Sequence, residues 1–208
     1  MLKKHYINFG TAKTATTWIY NNLIQSSAID YIKNKEPSLE LLNDFSKYEN
    51  YYNKFQFGLN FNTNLWKLDS NQIAYLNSVS THRSVIFRNP YLYANSLYNF
   101  WKSYNLDSDT FIKSFVQHFD YCAILNRLPN DTLVLYYDQI LEDSQAALNK
   151  ITNYLEIPPV KKINHFVNIT SYQTHLIFSQ NNVILINDLI DCFQNKTKKD
   201  LEHWKLYV

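Results

Sequence analysis

The sequence predicts an α/β fold with a central parallel sheet flanked by helices, built as one domain over residues 1–208. Three observations lead there. Short apolar runs recur between segments of helical periodicity, as strands and helices alternating along a chain require. Those runs are continuous rather than alternating, the pattern of strands buried on both faces. No repeat, low-complexity linker or shift of composition divides the chain, and its length suffices to bury one substantial core without disulfides or metals.

The elements follow in order. His5 to Phe9 reads as a strand broken by Gly10, and Thr16 to Ile24 as a helix with Trp18, Ile19 and Leu23 at helical spacing. Ile29 to Ile32 reads as a second strand. Ser38 onward looks helical, whereas Tyr48 to Phe57 is aromatic and ambiguous between helix and strand. Asn71 to Val79 is a helix, and Ser84 to Phe87 a buried strand ended by Arg88, Asn89 and Pro90. Pro90 suits the first position of a helix running to about Tyr104, since its missing N–H would have no partner there anyway. A helix pair is expected over Asp109 to Leu128, then a β-branched strand over Thr132 to Tyr137. An amphipathic helix follows from Ser144 to Leu155, stopped by Pro158 and Pro159. Helices at about Val183 to Phe193 and near Lys198 to Trp204 close the chain.

Bulk properties exclude several partners. Hydrophobic residues make up 46% and charged residues 18%, a globular balance. The net charge of +2 gives no basis for a nucleic-acid partner, so any anion must be recognised locally. Cys122 and Cys192 lie far apart with no metal-ligand spacing, which argues against zinc and against a disulfide framework. The N-terminal segment is too short and polar for a signal peptide, and no apolar run is long enough to span a membrane. A reducing cytoplasm is the expected location. With Gly10 and Gly58 the only glycines, neither a GxGxxG fingerprint nor a complete GxxxxGK[ST] loop can be written.

Chemistry concentrates at two segments. Between the first strand and the first helix, Lys13, Thr14, Ala15, Thr16, Thr17 and Trp18 bring hydroxyls and one ammonium to a helix start, where backbone N–H groups and the macrodipole attract phosphate or sulfate. One of the threonines is expected to cap the helix as well. Taken alone, these residues equally describe a simple cap beside a solvated lysine. In the second segment Arg88 leaves the carboxyl end of a strand, where open α/β sheets bind ligands and where its guanidinium can grip phosphate bidentately. Ser96 follows about two helical turns later. Taken alone, Arg88 could instead pair with a carboxylate and Ser96 pack between helices.

The two segments together carry a resemblance. Lys13-Thr-Ala-Thr-Thr-Trp18 is similar to the 5′-phosphosulfate loop of sulfotransferases, K-[ST]-G-T-T-W, with Ala15 in the glycine position. Arg88-Asn-Pro-x5-Ser96-x-Tyr98 resembles their 3′-phosphate segment, R-[DN]-P-x5-S-x-[YF]. Tyr137-Asp-Gln-Ile140 stands where these enzymes end a strand in Tyr-Glu-Asp-Leu, a structural likeness. The resemblance is closer to bacterial and glycan-type members than to cytosolic small-molecule ones. It implies a P-loop-like three-layer sandwich, 3′-phosphoadenosine-5′-phosphosulfate (PAPS) as sulfuryl donor, adenosine 3′,5′-bisphosphate (PAP) as product and no metal. The acceptor would be a small molecule or glycan bearing a hydroxyl or amine.

By the same resemblance Lys13 is catalytic and binds the cofactor together with Thr14, Ala15, Thr16, Thr17, Trp18, Arg88 and Ser96. Glu36, in Lys35-Glu-Pro37, resembles the segment that carries the base in glycan 3-O-sulfotransferases. His82, six residues before Arg88, is too close to match the histidine base of the cytosolic enzymes and reads as a loop residue. The C-terminal basic-Gly cofactor loop has no counterpart after Phe166 to Ser171. Lys196, Lys198 and Lys199 could replace it electrostatically or form a solvated face. Tyr48, Tyr51, Tyr52, Phe55 and Phe57 could line an acceptor cleft or pack in the core. Two rival readings stand beside the transferase: an ATP-dependent P-loop kinase, and a nucleotide-binding module of the same fold without activity.

Overall fold

The computed structural model describes residues 4–9, 13–29, 39–61, 68–100, 107–161 and 176–206. In chain order the elements are β1 (Lys4–Asn8), α1 (Thr16–Leu23), α2 (Phe45–Tyr52), β2 (Phe57–Asn60), α3 (Ser70–Val79), β3 (His82–Phe87), α4 (Pro90–Phe100), α5 (Ser108–His118), α6 (Tyr121–Asn126), β4 (Leu133–Tyr136), α7 (Tyr137–Glu142), α8 (Ser144–Leu155) and α9 (Gln180–Thr197). Short 3₁₀ turns occupy Leu39–Asn43 and Glu202–Trp204. Internal packing gathers these into two compact units, Met1–Phe87 with Asn130–Asn168, and Arg88–Pro129 with Ile169–Val208.

The first unit holds the sheet, four strands in the order β2-β1-β3-β4, each neighbouring pair parallel. His5 to Asn8, all of β2 and Ser84 to Phe87 are buried. Successive strand residues point to opposite faces, so burial of every one means that both faces are covered. The predicted α/β architecture with a central parallel sheet flanked by helices is therefore the observed one. Asp44, Asp69 and Asp143 cap α2, α3 and α8, and Asp69 with Gln72 makes a reciprocal capping box. Ile7, Ile19, Leu23, Leu76, Leu148 and Ile151 are fully buried in the core.

Three details differ from expectation. The strand on the far side of β1 is Phe57–Asn60, drawn from the stretch that was ambiguous in sequence, which divides into α2 and β2. Ile29, expected to open a strand, is a buried bend, and Asp30 to Ile32 lie outside the described residues. Gly58 lets β2 approach α2, because a Cβ there would lie 3.0 Å from Tyr52 Cδ1. The run expected as a strand to Tyr137 ends at Tyr136, where α7 begins at once.

The second unit is helical. Asn89 Oδ1 accepts from the Tyr91 and Leu92 N–H groups at 3.0 and 3.4 Å, closing the first turn of α4 behind Pro90. Asp107 and Asp120 cap α5 and α6 in the same way. Tyr93 packs edge-on against Phe115 and Phe119. The tail departs from expectation in that α9 runs on to Thr197, leaving only the turn at Glu202–Trp204. Among the described residues no helix is long and apolar enough to cross a membrane.

Candidate active site

The loop leaving β1 is organised by its backbone. Lys13 and Ala15 have φ of 66° and 63°, in the left-handed region, whereas Thr14 between them does not. Alternation of this kind turns successive N–H groups toward one side, forming the concavity that binds phosphates in nucleotide loops. Thr14 and Thr16 are buried, Lys13 is half-buried and Thr17 is exposed. Trp18, Ile19, Tyr20 and Leu23 bury the inner face of α1 and so hold the loop's exit.

No threonine caps α1. The cap is Ala15, with ψ of 12° and no side-chain hydrogen bond, and its carbonyl accepts from the Ile19 N–H at 3.0 Å. The reason is conformational: an N-cap residue normally has extended backbone with its side chain turned to the first turn, and left-handed Ala15 supplies neither. Ala15 itself brings no side-chain bond to this turn, and no acidic side chain stands in it. The positive end of the helix therefore carries no carboxylate on its own first turn that would compete for an anion. The glycine-like backbone that the phosphosulfate pattern calls for is present although the residue is alanine.

Beneath the loop lies a buried polar group that sequence reasoning missed. Tyr6, Asn8 and Ser84 are fully buried; the Tyr6 hydroxyl and Ser84 Oγ are 2.5 Å apart, and Asn8 Nδ2 donates to the same Oγ at 2.6 Å. The Phe9 N–H donates to the Ser84 carbonyl at 2.7 Å. Burial pushes the Tyr6 phenol up to about 12, so it remains a neutral hydrogen-bonding group. These bonds lock the end of β1 to β3 immediately before the loop. Their only trace in the sequence is a polar Asn8 interrupting an apolar strand.

In the second unit Arg88 follows directly on β3 and is 7% exposed, and its carbonyl accepts from the buried Tyr121 hydroxyl at 2.6 Å. Ser96 is buried on α4, one residue beyond Asn95, whose Oδ1 accepts from the Leu176 N–H at 2.8 Å. Both residues sit on rigid backbone, Arg88 before a capped helix start and Ser96 within the helix.

The remaining candidates separate by position. Glu36 lies outside the described residues, as does Phe166 to Ser171. His82 is the first residue of β3 rather than a loop residue, stacked beside Phe57 and edge-on to Tyr154. At about 3.3 Å per residue it stands roughly 17 Å along the strand from Phe87, at the end of the sheet opposite the loop. Burial, then nearby Lys4, lowers its pKa. Tyr48, Tyr52 and Phe57 are core residues: Tyr52 stacks on His5 with ring centroids 4.3 Å apart, and the Tyr48 hydroxyl accepts from Asn60 Nδ2 at 2.7 Å. Tyr51 and Phe55 are half-buried beside them. Ile140 of the Tyr137–Ile140 stretch is buried, as a structural role requires. Lys196 donates to Asn126 of α6, and Lys198 ends α9 in a left-handed conformation.

The chain shares its fold with sulfotransferases. A crystal structure of a sulfotransferase from Alicyclobacillus acidocaldarius superposes with a TM-score of 0.66 over 98% of this chain and 99% of that one, at 11% identity. The mouse sulfotransferase SULT7A1, crystallised with PAP, superposes with a TM-score of 0.58 over 96% of this chain and 85% of that one, at 16% identity. No family model matches the chain, and no curated protein matches it.

Proposed function

We propose that this protein is a PAPS-dependent sulfotransferase. One observation carries the reading: the loop after β1 joins the Lys-Thr-x-Thr-Thr-Trp residues to a backbone of alternating φ sign at an α-helix start, in a fold shared with sulfotransferases. Backbone geometry, side chains and helix end all suit one tetrahedral anion there. The mouse neighbour's PAP, which is PAPS without its sulfuryl group, supports the nucleotide class.

PAPS would supply the sulfuryl group. Lys13 offsets the charge that develops on the oxygen shared by phosphate and sulfuryl. The N–H groups and hydroxyls from Thr14 to Thr17 cradle the 5′-phosphate, with Ala15 setting the turn and Trp18 anchoring the helix behind it. Arg88 forks onto the 3′-phosphate with Ser96 donating beside it. Glu36 takes the proton from the acceptor hydroxyl or amine as the new bond to sulfur forms. The reading includes a small-molecule or glycan acceptor and a cytoplasmic setting.

Thermal shift with PAP against ATP and Mg²⁺ tests the class, because a ligand of the folded state raises apparent stability by mass action. Stabilisation by PAP alone is expected; stabilisation by ATP and Mg²⁺ alone would transfer the assignment to a kinase. Transfer from labelled PAPS to a panel of saccharides, phenols, lipids and peptides then tests the reaction. Binding of PAP with no transfer to any acceptor would mark an inactive module.

A further inference from the structure

Cys122 and Cys192 stand 70 residues apart in the chain, yet their thiols touch, Cys192 donating to the Cys122 sulfur at 2.7 Å. Cys122 is buried near the start of α6 and Cys192 is exposed on α9. The contact is fixed on both sides. Tyr121 packs edge-on to Phe193 at 5.2 Å, and one turn further along both helices Lys196 donates to Asn126. Asp120 holds the start of α6 by accepting from the Cys122 and Ala123 N–H groups at 2.9 and 3.1 Å. Neither thiol has a part in the sulfuryl transfer proposed above, and the inference stands whether or not that transfer occurs.

We propose that Cys122 and Cys192 form a reactive dithiol site that a small-molecule disulfide converts into an α6–α9 cross-link. The exposed Cys192 thiolate attacks one sulfur of the reagent RSSR, forming a mixed disulfide and releasing RS⁻. Cys122 then gives up its proton and attacks the Cys192 sulfur, expelling the second RS⁻. Two protein thiols and one RSSR become one protein disulfide and two RSH, the cysteines losing two electrons and the reagent gaining them. The order follows from access: Cys192 can be reached from solvent. Cys122 is sheltered, its thiol pushed up to about 12 by burial and then by its bonding to Cys192, so it resolves the mixed disulfide and does not begin the exchange. In a reducing cytoplasm the pair rests as thiols and closes only under oxidising load. The cross-link would also tie down Tyr121, whose hydroxyl supports the Arg88 carbonyl.

The test is to treat reduced full-length protein with oxidised glutathione and map it by non-reducing mass spectrometry, alongside thermal melts. The expected result is a Cys122–Cys192 peptide pair in monomeric protein. The melting temperature rises by at least about 5 °C, because a long loop is closed in the unfolded chain, and dithiothreitol reverses the rise. Cys192→Ser, at an exposed position, should abolish both effects, and Cys122→Ser should leave glutathione on Cys192. If Cys122→Ser fails to fold, wild type and Cys192→Ser decide the matter. Glutathione retained on wild-type Cys192, dimers linked through Cys192, or no loss of thiols would overturn the proposal.

Discussion

Replacing Ala15 by glycine should make the protein more stable, the reverse of what this exchange does at most helix-associated positions. With φ of 63° and ψ of 12°, Ala15 holds its Cβ against the following carbonyl, a conformation that costs an L-residue about 1–2 kcal/mol. Glycine removes that cost but loses about 0.5–1 kcal/mol more conformational entropy on folding. The difference leaves Ala15→Gly about 0–1.5 kcal/mol more stable, a rise of up to roughly 6 °C in melting temperature for a chain of this size. Ala15→Val should move the other way, by about 1–2 kcal/mol, because a β-branched side chain tolerates positive φ least. Urea unfolding followed by tryptophan fluorescence measures both, and the four tryptophans give ample signal. PAP affinity of Ala15→Gly should be unchanged or tighter, since the N–H groups stay where they are. If Ala15→Gly unfolds at lower urea than wild type, the left-handed backbone, and with it the anion concavity, is refuted.

Other expectations follow from the same structure. Lys13→Ala should lower transfer from PAPS by at least about 100-fold, in the range of losing one preorganised transition-state partner, with circular dichroism and melting temperature unchanged; an active, normally binding variant would sink the assignment. Arg88→Lys keeps the charge and removes the fork, so the Kd for PAP should rise about tenfold by calorimetry, and equal affinity would take the 3′-phosphate role away from Arg88. His5 is held near pKa 4 by burial, against 6.5 when unfolded, so at intermediate pH the unfolded chain takes up a proton that the folded chain refuses. Stability from this group is complete above about pH 6.5 and falls as pH drops toward 4, with a loss of about 2 kcal/mol between pH 7 and pH 5. Urea midpoints for wild type and His5→Gln at both pH values measure it, and an equal loss in the variant would assign the effect to other groups.

What could be read in the sequence was chemistry and burial; what could not was backbone sign and long-range contact. β1 and β3 were legible because Tyr6-Ile7 and Val85-Ile86-Phe87 are continuous apolar runs closed by punctuating Gly10 and Asn89-Pro90. β2 was not, because Phe57-Gly-Leu-Asn60 contains two poor strand formers and is held by pairing to β1 and by the close approach of Gly58 to Tyr52. The thiol contact was hidden for the same reason, being a product of how α6 meets α9 and not of any local spacing. At the loop, Lys13 and the threonines could be read as a binding site or as an ordinary cap. The backbone bears on that choice. A loop serving only to start a helix would put Thr, Ser or Asp at the cap in extended conformation and gain about 1 kcal/mol from the cap bond. This chain instead has alanine there, left-handed and without a cap bond, beside a second left-handed residue at Lys13. Strain of that kind persists where the surrounding structure imposes it, here through the buried face of α1 and the Tyr6-Asn8-Ser84 lock. Its concentration in three residues around one lysine favours the anion site over the cap.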